Sequence, residues 1–221
     1  RDLHSFPTRR SSDLVVYTGD KNLMKLVSNS WTDGNYNRPR TDYAELEKYH
    51  EGLIVLSGSI AGEVPSKILN GDLVGAREAI EWYKGIWGDD YYLELQHHEV
   101  KNPMIRANRE LYPAQQQVNE VMIELAKEYG IKLVCTNDVH FVDKEHAEAH
   151  DRLICMATGK ELDDPNRILY TKQEWFKTCE EMGEVFSDNP EALSNTMEIF
   201  NKVEFYSIEH QPNSNNQKIS I

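Results

Sequence analysis

The residues best suited to chemistry lie in the segment 136–141, which reads TNDVHF. Asp138 and His140 follow the apolar, β-branched run 131–136 and lie two positions apart, so in an extended chain their side chains would point the same way. α/β barrels place their functional residues, including metal ligands, at the carboxyl ends of the strands. A carboxylate beside an imidazole at such a point predicts a divalent-metal site. The alternative is an Asp that caps the next helix beside a surface His.

Other polar side chains also follow apolar runs. Ser57 and Ser59 come directly after one such run, where a strand-to-helix turn with a capping Ser is the favoured interpretation because hydroxyls are poor metal ligands. His97 and His98 follow another such run, 91–95, after Gln96. Since neighbours in an extended chain face opposite ways, at most one of these histidines can face the mouth of a barrel.

His146 and His150 lie one helical turn apart in a predicted helix, a spacing that can chelate a metal. Glu148 lies on a different face and does not complete an HExxH motif. The favoured interpretation of this pair is therefore a packing role, or a role in orienting the metal ligands without binding the metal. The acidic runs near residues 145, 163 and 180 are interpreted as solvated faces.

The elements that must position these residues alternate between strands and helices. Apolar runs predict buried strands at 53–56, 91–95 and 131–136. Periodicity and capping residues predict helices at 20–30, 43–49, 73–87, 111–129, 145–156 and 190–203. In the helix predicted at 73–87, Val74 is expected on the buried stripe. The segment 99–110 is expected to be a polar loop. A capping box of Thr171 and Glu174 predicts one more helix, to about residue 186. Strands joined by helix-length connections predict an α/β protein with a parallel sheet.

The composition limits the function classes. The 221 residues carry 37 acidic and 24 basic side chains, a formal net charge of −13, so the chain is poorly suited to hold nucleic acid by itself. The cysteines at 135, 155 and 179 have no paired spacing, which indicates a reducing compartment. No apolar run is long enough to span a membrane and no signal peptide is visible, so a cytoplasmic location is expected. The sequence has no P-loop, GxGxxG or GxSxG motif.

The two ends of the chain are expected to differ from the rest. Residues 4–14 resemble one reading frame of a sequencing adapter translated into protein, so residues 1–14 are predicted to be an artefact. The alternative is a short basic arm. Residues 15–206 are predicted to form the domain, with residues 15–17 as the stump of a strand. Residues 207–221 are rich in Asn, Ser and Gln and are expected to be unstructured.

Five ordered segments resemble one family. They read YHEGLIVLSGSIAGEV at 49–64, YYLELQ at 91–96, TNDVHF at 136–141, AHDR at 149–152 and NPEALSNT at 189–196. This series resembles the N-terminal polymerase-and-histidinol-phosphatase (PHP) domain of bacterial replicative DNA polymerase III alpha subunits, most closely the Bacteroidetes-like forms. The resemblance extends over about residues 15–210, and several motifs in matching order make it specific.

The resemblance implies an incomplete, distorted (β/α)7 TIM-like barrel that lacks its N-terminal strands. In that family a divalent-metal cluster, of Zn or Mn, lies at the C-terminal mouth of the barrel. Asp138 and His140 match the family's last Asp-x-His ligands, and Ser59 stands where the family has a Cys ligand. The earlier ligands would precede Val15.

The resemblance also implies a parent protein that is a DNA-directed DNA polymerase, a nucleotidyltransferase of DNA replication that uses Mg. This domain would be a scaffold with a vestigial or partial phosphoesterase or 3′–5′ exonuclease site. It would be inactive alone, because the catalytic palm domain would lie downstream. The implied partners are DNA through the parent, a proofreading exonuclease and a sliding clamp, with no membrane. The alternatives are a free-standing, histidinol-phosphatase-like PHP phosphoesterase and a non-catalytic interaction module.

Overall fold

The computed structural model of the chain describes residues 4–5, 17–99 and 106–203. The strands in these ranges are β1 (His4–Ser5), β2 (Arg40–Thr41), β3 (Val55–Leu56), β4 (Tyr91–Gln96) and β5 (Leu133–Thr136). The α-helices are α1 (Tyr17–Thr32), α2 (Tyr43–Lys48), α3 (Glu63–Leu69), α4 (Leu73–Trp87), α5 (Arg106–Glu110), α6 (Tyr112–Tyr129), α7 (Ala147–Thr158), α8 (Cys179–Val185) and α9 (Pro190–Lys202). Short 3-10 turns precede β4, at Gly88–Asp90, and α7, at Lys144–His146.

The centre of the fold is a parallel sheet in the order β3–β4–β5. In β4, Leu93 lies opposite Leu133 and Gln96 lies opposite Thr136 of β5. Every residue of β4 is buried, as expected for a parallel strand that is covered on both faces. The predicted α/β class with a parallel sheet is therefore confirmed. The incomplete (β/α)7 barrel stays a prediction.

The two faces of the sheet pack differently, because alternate residues of a strand point to opposite sides. On one face, Leu93 and Leu95 join the main hydrophobic core, to which α3, α4 and α6 contribute most of the other residues. On the other face, Tyr92 and Val134 pack against Ile199 of α9. These two layers fix β4 and β5, and so fix the point at which the chain leaves β5.

Local capping explains where several helices begin and end. Asp42 accepts a hydrogen bond from the Glu45 N–H at 3.0 Å, and Asp72 accepts one from the Gly75 N–H at 2.9 Å. Each carboxylate thereby satisfies a free donor in the first turn of its helix. Gly130 ends α6 with a positive φ of 59°, a conformation that glycine adopts at little steric cost. The helices predicted at 43–49, 73–87 and 111–129 lie within one residue of α2, α4 and α6.

Two expectations about the helices are wrong. Val74 is 69% exposed, because it lies about 1.7 turns before the buried Ile80 and so about 120° around α4 from it, off the buried stripe. The segment 99–110 is not a loop throughout, because α5 occupies its end. Arg106 donates to Glu110 at 2.8 Å there, and an i,i+4 ion pair of this kind supports a helix. Residues 100–105 lie outside the described residues.

The helix predicted from Thr171 to residue 186 is wrong in its first half. Glu174 does accept hydrogen bonds from the Thr171 N–H at 2.9 Å and from its hydroxyl at 2.7 Å. However, Lys172 has a positive φ of 69°, and residues 171–178 are not helical. The helix α8 begins only after Thr178, which forms a complete capping box of its own. Residues 171–178 are called the strap below.

Neither end of the chain is fully described. β1 pairs antiparallel with β2, and the remainder of residues 1–16 lies outside the described residues, as does the predicted tail 207–221. The artefact and the unstructured tail therefore stay predictions. Tyr17 begins α1, so it is not part of a strand as expected. Within the described ranges, no helix combines the length and the apolar character needed to cross a membrane.

Candidate metal-binding loop

Residues 137–142, called the site loop below, carry the chain away from the carboxyl end of β5. Within the loop the side chains of Asp138 and His140 meet, with His140 Nε2 lying 3.2 Å from Asp138 Oδ2. Asp138 has a positive φ of 42°, so the chain is not extended at this point. The contact therefore arises from a turn at Asp138 and not from the strand periodicity that the sequence suggested.

His140 is flanked by two further rings. Its imidazole lies edge-on to Tyr170, with ring centroids 4.4 Å apart, and 5.4 Å from the ring of His150 on α7. His146, one turn earlier, is exposed and has a different partner, since its Nδ1 accepts from the Asp143 N–H at 3.2 Å. The structure thus brings His150, but not His146, beside the candidate residues. His146 is a surface residue, and His150 packs beside His140.

The strap runs alongside the site loop and binds it through the backbone. The His140 N–H donates to the Glu174 carbonyl at 2.8 Å, and the Phe176 N–H donates to the Phe141 carbonyl at 3.1 Å. Phe141 and Trp175 form an isolated parallel bridge. These contacts pair the loop with a segment that is far from it in sequence, in the manner of a short strand.

Asn137 begins the site loop, and its side chain forms hydrogen bonds to the strap. Its Nδ2 donates to the carbonyls of Trp175 at 2.7 Å and Gln173 at 3.0 Å, while its Oδ1 accepts from Lys177 Nζ at 3.0 Å. Lys177 Nζ also donates to the Gln173 carbonyl and lies 3.6 Å from the centroid of the Trp175 ring. Burial lowers the pKa of Lys177 to about 8, although nearby carboxylates act in the opposite direction.

His98 reaches the site loop from the end of β4. Its Nε2 lies 3.1 Å from the Asn137 carbonyl, and its Nδ1 lies 2.9 Å from Gln115 Nε2. Nε2 therefore donates and Nδ1 accepts, which is the pattern of a neutral imidazole. Burial lowers the pKa of His98 and favours the same state. His97 faces elsewhere, with its Nε2 3.0 Å from the Tyr112 hydroxyl, so one histidine of the pair points inward, as the alternation predicted.

Glu94 of β4 is a buried carboxylate that sequence reasoning missed. It accepts hydrogen bonds from the Thr136 hydroxyl and from Gln96 Nε2, the latter at 3.0 Å. Burial raises the pKa of Glu94, these two hydrogen bonds oppose the rise, and the negative charge of Asp138 adds to it. The sequence does carry one sign of this residue's role, because Glu94 lies inside a short strand that is predicted to be buried. Such a residue needs partners, and here polar neighbours on both strands supply them.

The two serines have roles in the turn that follows β3. The Ser57 hydroxyl accepts from the Glu94 N–H at 2.9 Å, which ties the end of β3 to β4. The Ser59 carbonyl accepts from the Gly62 N–H at 2.7 Å, immediately before α3. The strand-to-helix turn is therefore confirmed, but the capping role expected of a serine is wrong, because the N-cap of α3 is Gly62 and no side chain caps this helix.

The donor atoms of the site loop suit a divalent ion, but they are few. Carboxylate oxygen and imidazole nitrogen are both ordinary ligands of Zn and Mn. In the part of the chain that the structure describes, no three His, Cys, Asp or Glu side chains are grouped so that they could hold one ion. Asp138 and His140 therefore fit as two members of a ligand set, and the described residues do not complete that set.

Comparison with known proteins gives consistent matches. A family model described as the PHP domain matches residues 7–98. The DNA polymerase III subunit alpha of Borreliella burgdorferi is 41% identical over 191 residues, which is 86% of this chain and 16% of that protein. The same subunit of Campylobacter jejuni is 37% identical over 91% of this chain and 17% of its own length. The subunit of Thermus aquaticus is 36% identical over 83% of this chain and 14% of its own length. The chain thus spans less than a fifth of the length of each of these relatives.

Proposed function

The chain belongs to the PHP domains of bacterial DNA polymerase III alpha subunits, and on that premise we propose that it is part of a DNA-directed DNA polymerase of DNA replication. The observation that carries this proposal is the similarity to polymerase alpha subunits along most of the chain. In the parent protein, nucleotide addition with Mg would take place in other domains. The role of this domain would be that of a scaffold that carries a partial metal-dependent phosphoesterase site.

The contact between Asp138 and His140 supports the partial site. The two side chains lie 3.2 Å apart just after a parallel strand, where a carboxylate and an imidazole are well placed to share an ion. A bound Zn or Mn would activate water and neutralise charge on a phosphodiester. The task of these two side chains would be to bind the ion, and that of the site loop would be to keep them facing one another. Further ligands would have to come from outside the described residues.

The charge of the chain supports a scaffolding role over direct DNA binding. With a formal net charge of −13, the domain repels phosphate groups, so contact with DNA would depend on other parts of the parent. From the similarity to polymerase alpha subunits, the partners proposed for the parent are DNA, a proofreading exonuclease and a sliding clamp, with this domain contributing protein–protein contacts.

Metal titration of the chain tests the partial site. Mn²⁺ binding, followed by electron paramagnetic resonance, should be weak but measurable, and Asp138→Asn and His140→Gln should each abolish it. Asp163→Asn, a change at an exposed loop position, is the matched control and should bind as the wild type does. Equal binding by all four proteins would remove the support for a site at this pair.

The polymerase assignment has a separate test. The gene that encodes this chain should continue, in the same reading frame, into a region that directs primer extension on a DNA template. A gene product that hydrolyses small phosphomonoesters and lacks such a region would instead favour a free-standing phosphoesterase.

A further inference from the structure

We propose that Lys177 is a positioning residue for the Asp138–His140 pair and acts through the side chain of Asn137. The ammonium group of Lys177 donates to Asn137 Oδ1 at 3.0 Å and also to the Gln173 carbonyl. It thereby joins the first residue of the site loop to the strap. The proposal rests on the metal-binding role proposed above, because it is for that role that the geometry of the pair matters.

Asn137 is the point at which the site loop is fixed. Both ends of its amide are engaged by the strap, through Nδ2 to the Trp175 and Gln173 carbonyls and through Oδ1 to Lys177. Its backbone carbonyl lies 3.1 Å from His98 Nε2, which adds a contact from the end of β4. Since the orientation of an amide follows from its partners, the Lys177 ammonium and the two carbonyls together decide which way Oδ1 and Nδ2 point.

The residue that follows has an uncommon conformation. Asp138 has a φ of 42°, a region that is uncommon for residues other than glycine, although Asp enters it more readily than most, so the contacts around it help to select this turn. Asn137 before it and His140 after it are both bonded to the strap, the latter through its N–H to the Glu174 carbonyl at 2.8 Å. The strap therefore holds the turn from both sides, and the turn is what brings the carboxylate to the imidazole.

Lys177 differs from the other lysines near the strap. Its side chain is buried and its ammonium lies 3.6 Å from the Trp175 ring centroid, so it has a single well-defined place. Lys144 also lies over that ring, at 5.3 Å, but it is exposed. Lys172 binds the exposed Glu148 and so faces α7. Lys144 is the better control, because its loss removes a cation from the same indole and leaves the Asn137 bonds in place.

The test measures two properties of the full chain in four proteins, the wild type, Lys177→Met, Lys177→Arg and Lys144→Met. The first is hydrogen exchange of the backbone amides of His140 and Phe176 without metal, followed by NMR. Lys177→Met should speed exchange at both amides about tenfold or more, while amides in the middle of α4 stay unchanged. The second is the affinity for Mn²⁺, which should fall about tenfold to a hundredfold, as expected when a residue that orients ligands is lost.

The controls separate a positioning role from a general loss of structure. Lys144→Met should match the wild type within about twofold in both measurements, since exposed substitutions have small effects. Lys177→Arg should restore part of the protection and the affinity, because a guanidinium keeps the charge and the donors but is larger and holds its donors in a fixed planar fork. If Lys177→Met does not fold, Lys177→Gln takes its place and should show the same selective loss, because its shorter amide cannot reach both acceptors.

The possible results have distinct meanings. Wild-type exchange at His140 and Phe176 in a folded Lys177→Met or Lys177→Gln protein would overturn the positioning role, whatever the Mn²⁺ affinity. If the wild type itself does not bind Mn²⁺, the proposed metal site fails, and the exchange measurement alone decides whether Lys177 sets the geometry of the loop. Faster exchange at these two amides, with α4 unchanged and the arginine variant partly restored, would support the proposal.

Discussion

The Asn137 side chain donates a hydrogen bond to the Trp175 carbonyl at 2.7 Å, although 38 positions separate the two residues. This contact and its neighbours make the strap a partner of the site loop, in place of the helix that a capping pattern predicted there. The candidate site is therefore built from two segments of the chain, and its geometry depends on both.

Loss of the Asn137 side chain should lower the stability of the fold. Asn137→Ala removes two donors and one acceptor. The Trp175 carbonyl then loses its Asn137 donor, while the Gln173 carbonyl and the Lys177 ammonium keep only their bond to one another. The free energy of unfolding, measured by urea denaturation, should fall by about 2–4 kcal/mol, because each lost buried hydrogen bond costs about 1 kcal/mol and each unsatisfied partner adds to this.

The control for that change is an exposed asparagine that also forms a long-range hydrogen bond. Asn22 Nδ2 donates to the Glu51 carbonyl at 2.8 Å at the surface, where water can replace it. Asn22→Ala should therefore change the free energy of unfolding by less than about 0.5 kcal/mol. Equal effects of the two substitutions would contradict the role given to Asn137.

His98 should make stability depend on pH below neutrality. Its pKa in the folded chain is below the ordinary value of 6.5, so at pH values under 6.5 the unfolded chain binds a proton that the folded chain does not. This contribution is fully present above pH 6.5 and is lost as the pH falls from there towards the folded-state pKa. In that window it lowers the free energy of unfolding by at most about 1.4 kcal/mol per pH unit.

The comparison that isolates this effect is His98→Gln, in which an amide keeps one donor for the Asn137 carbonyl and one acceptor for Gln115. Urea denaturation at pH 7.5 and pH 5.5 should show a smaller loss on acidification in the variant than in the wild type. Other groups, such as the buried Glu94, titrate in both proteins, so the difference between them reports on His98. An identical pH dependence would mean that His98 is not buried as a neutral imidazole.

The three cysteines should differ in reactivity. Burial raises the pKa of the Cys135 thiol to about 12, and the thiolate is the reactive form. Cys155 is also buried, whereas Cys179 is exposed at the start of α8. In the folded chain at pH 8, iodoacetamide should modify Cys179 first, and the other two only after a denaturant is added. Mass spectrometry of the peptides measures this, and rapid native labelling of Cys135 would show that β5 is not packed as described.

Much of the helical structure could be predicted from local sequence, because the signals that start and end a helix are short. Asp42, Asp72 and Pro190 each open a helix close to where it was expected, and Gly130 closes one. The parallel sheet also followed from its apolar runs. In these places the residues that decide the structure lie within one helical turn or one strand of the element they define.

The strap and the buried carboxylate could not be predicted in this way, because both depend on distant parts of the chain. Thr171 and Glu174 form only one of the two bonds of a capping box, from the Thr171 N–H to the Glu174 carboxylate, while the Thr171 hydroxyl accepts from the Gln173 N–H. Pairing with the site loop outweighs the helix that the pattern favours. Glu94 is stable inside the sheet because Thr136 and Gln96 bond to it, and the Thr136 contact exists only once the two strands are paired. The meeting of Asp138 and His140 was expected, yet the turn that causes it depends on the strap.

The most direct test of the central claim is anomalous X-ray diffraction at the zinc edge, from crystals of the chain grown with Zn²⁺. The claim is that Asp138 and His140 together form one part of a metal site at the end of β5. We expect an anomalous peak about 2.0–2.2 Å from an Asp138 carboxylate oxygen and from a nitrogen of the His140 ring, the usual Zn ligand distances. Zinc peaks only at other surface positions, with the Asp138 carboxylate still in contact with the His140 ring, would contradict the account.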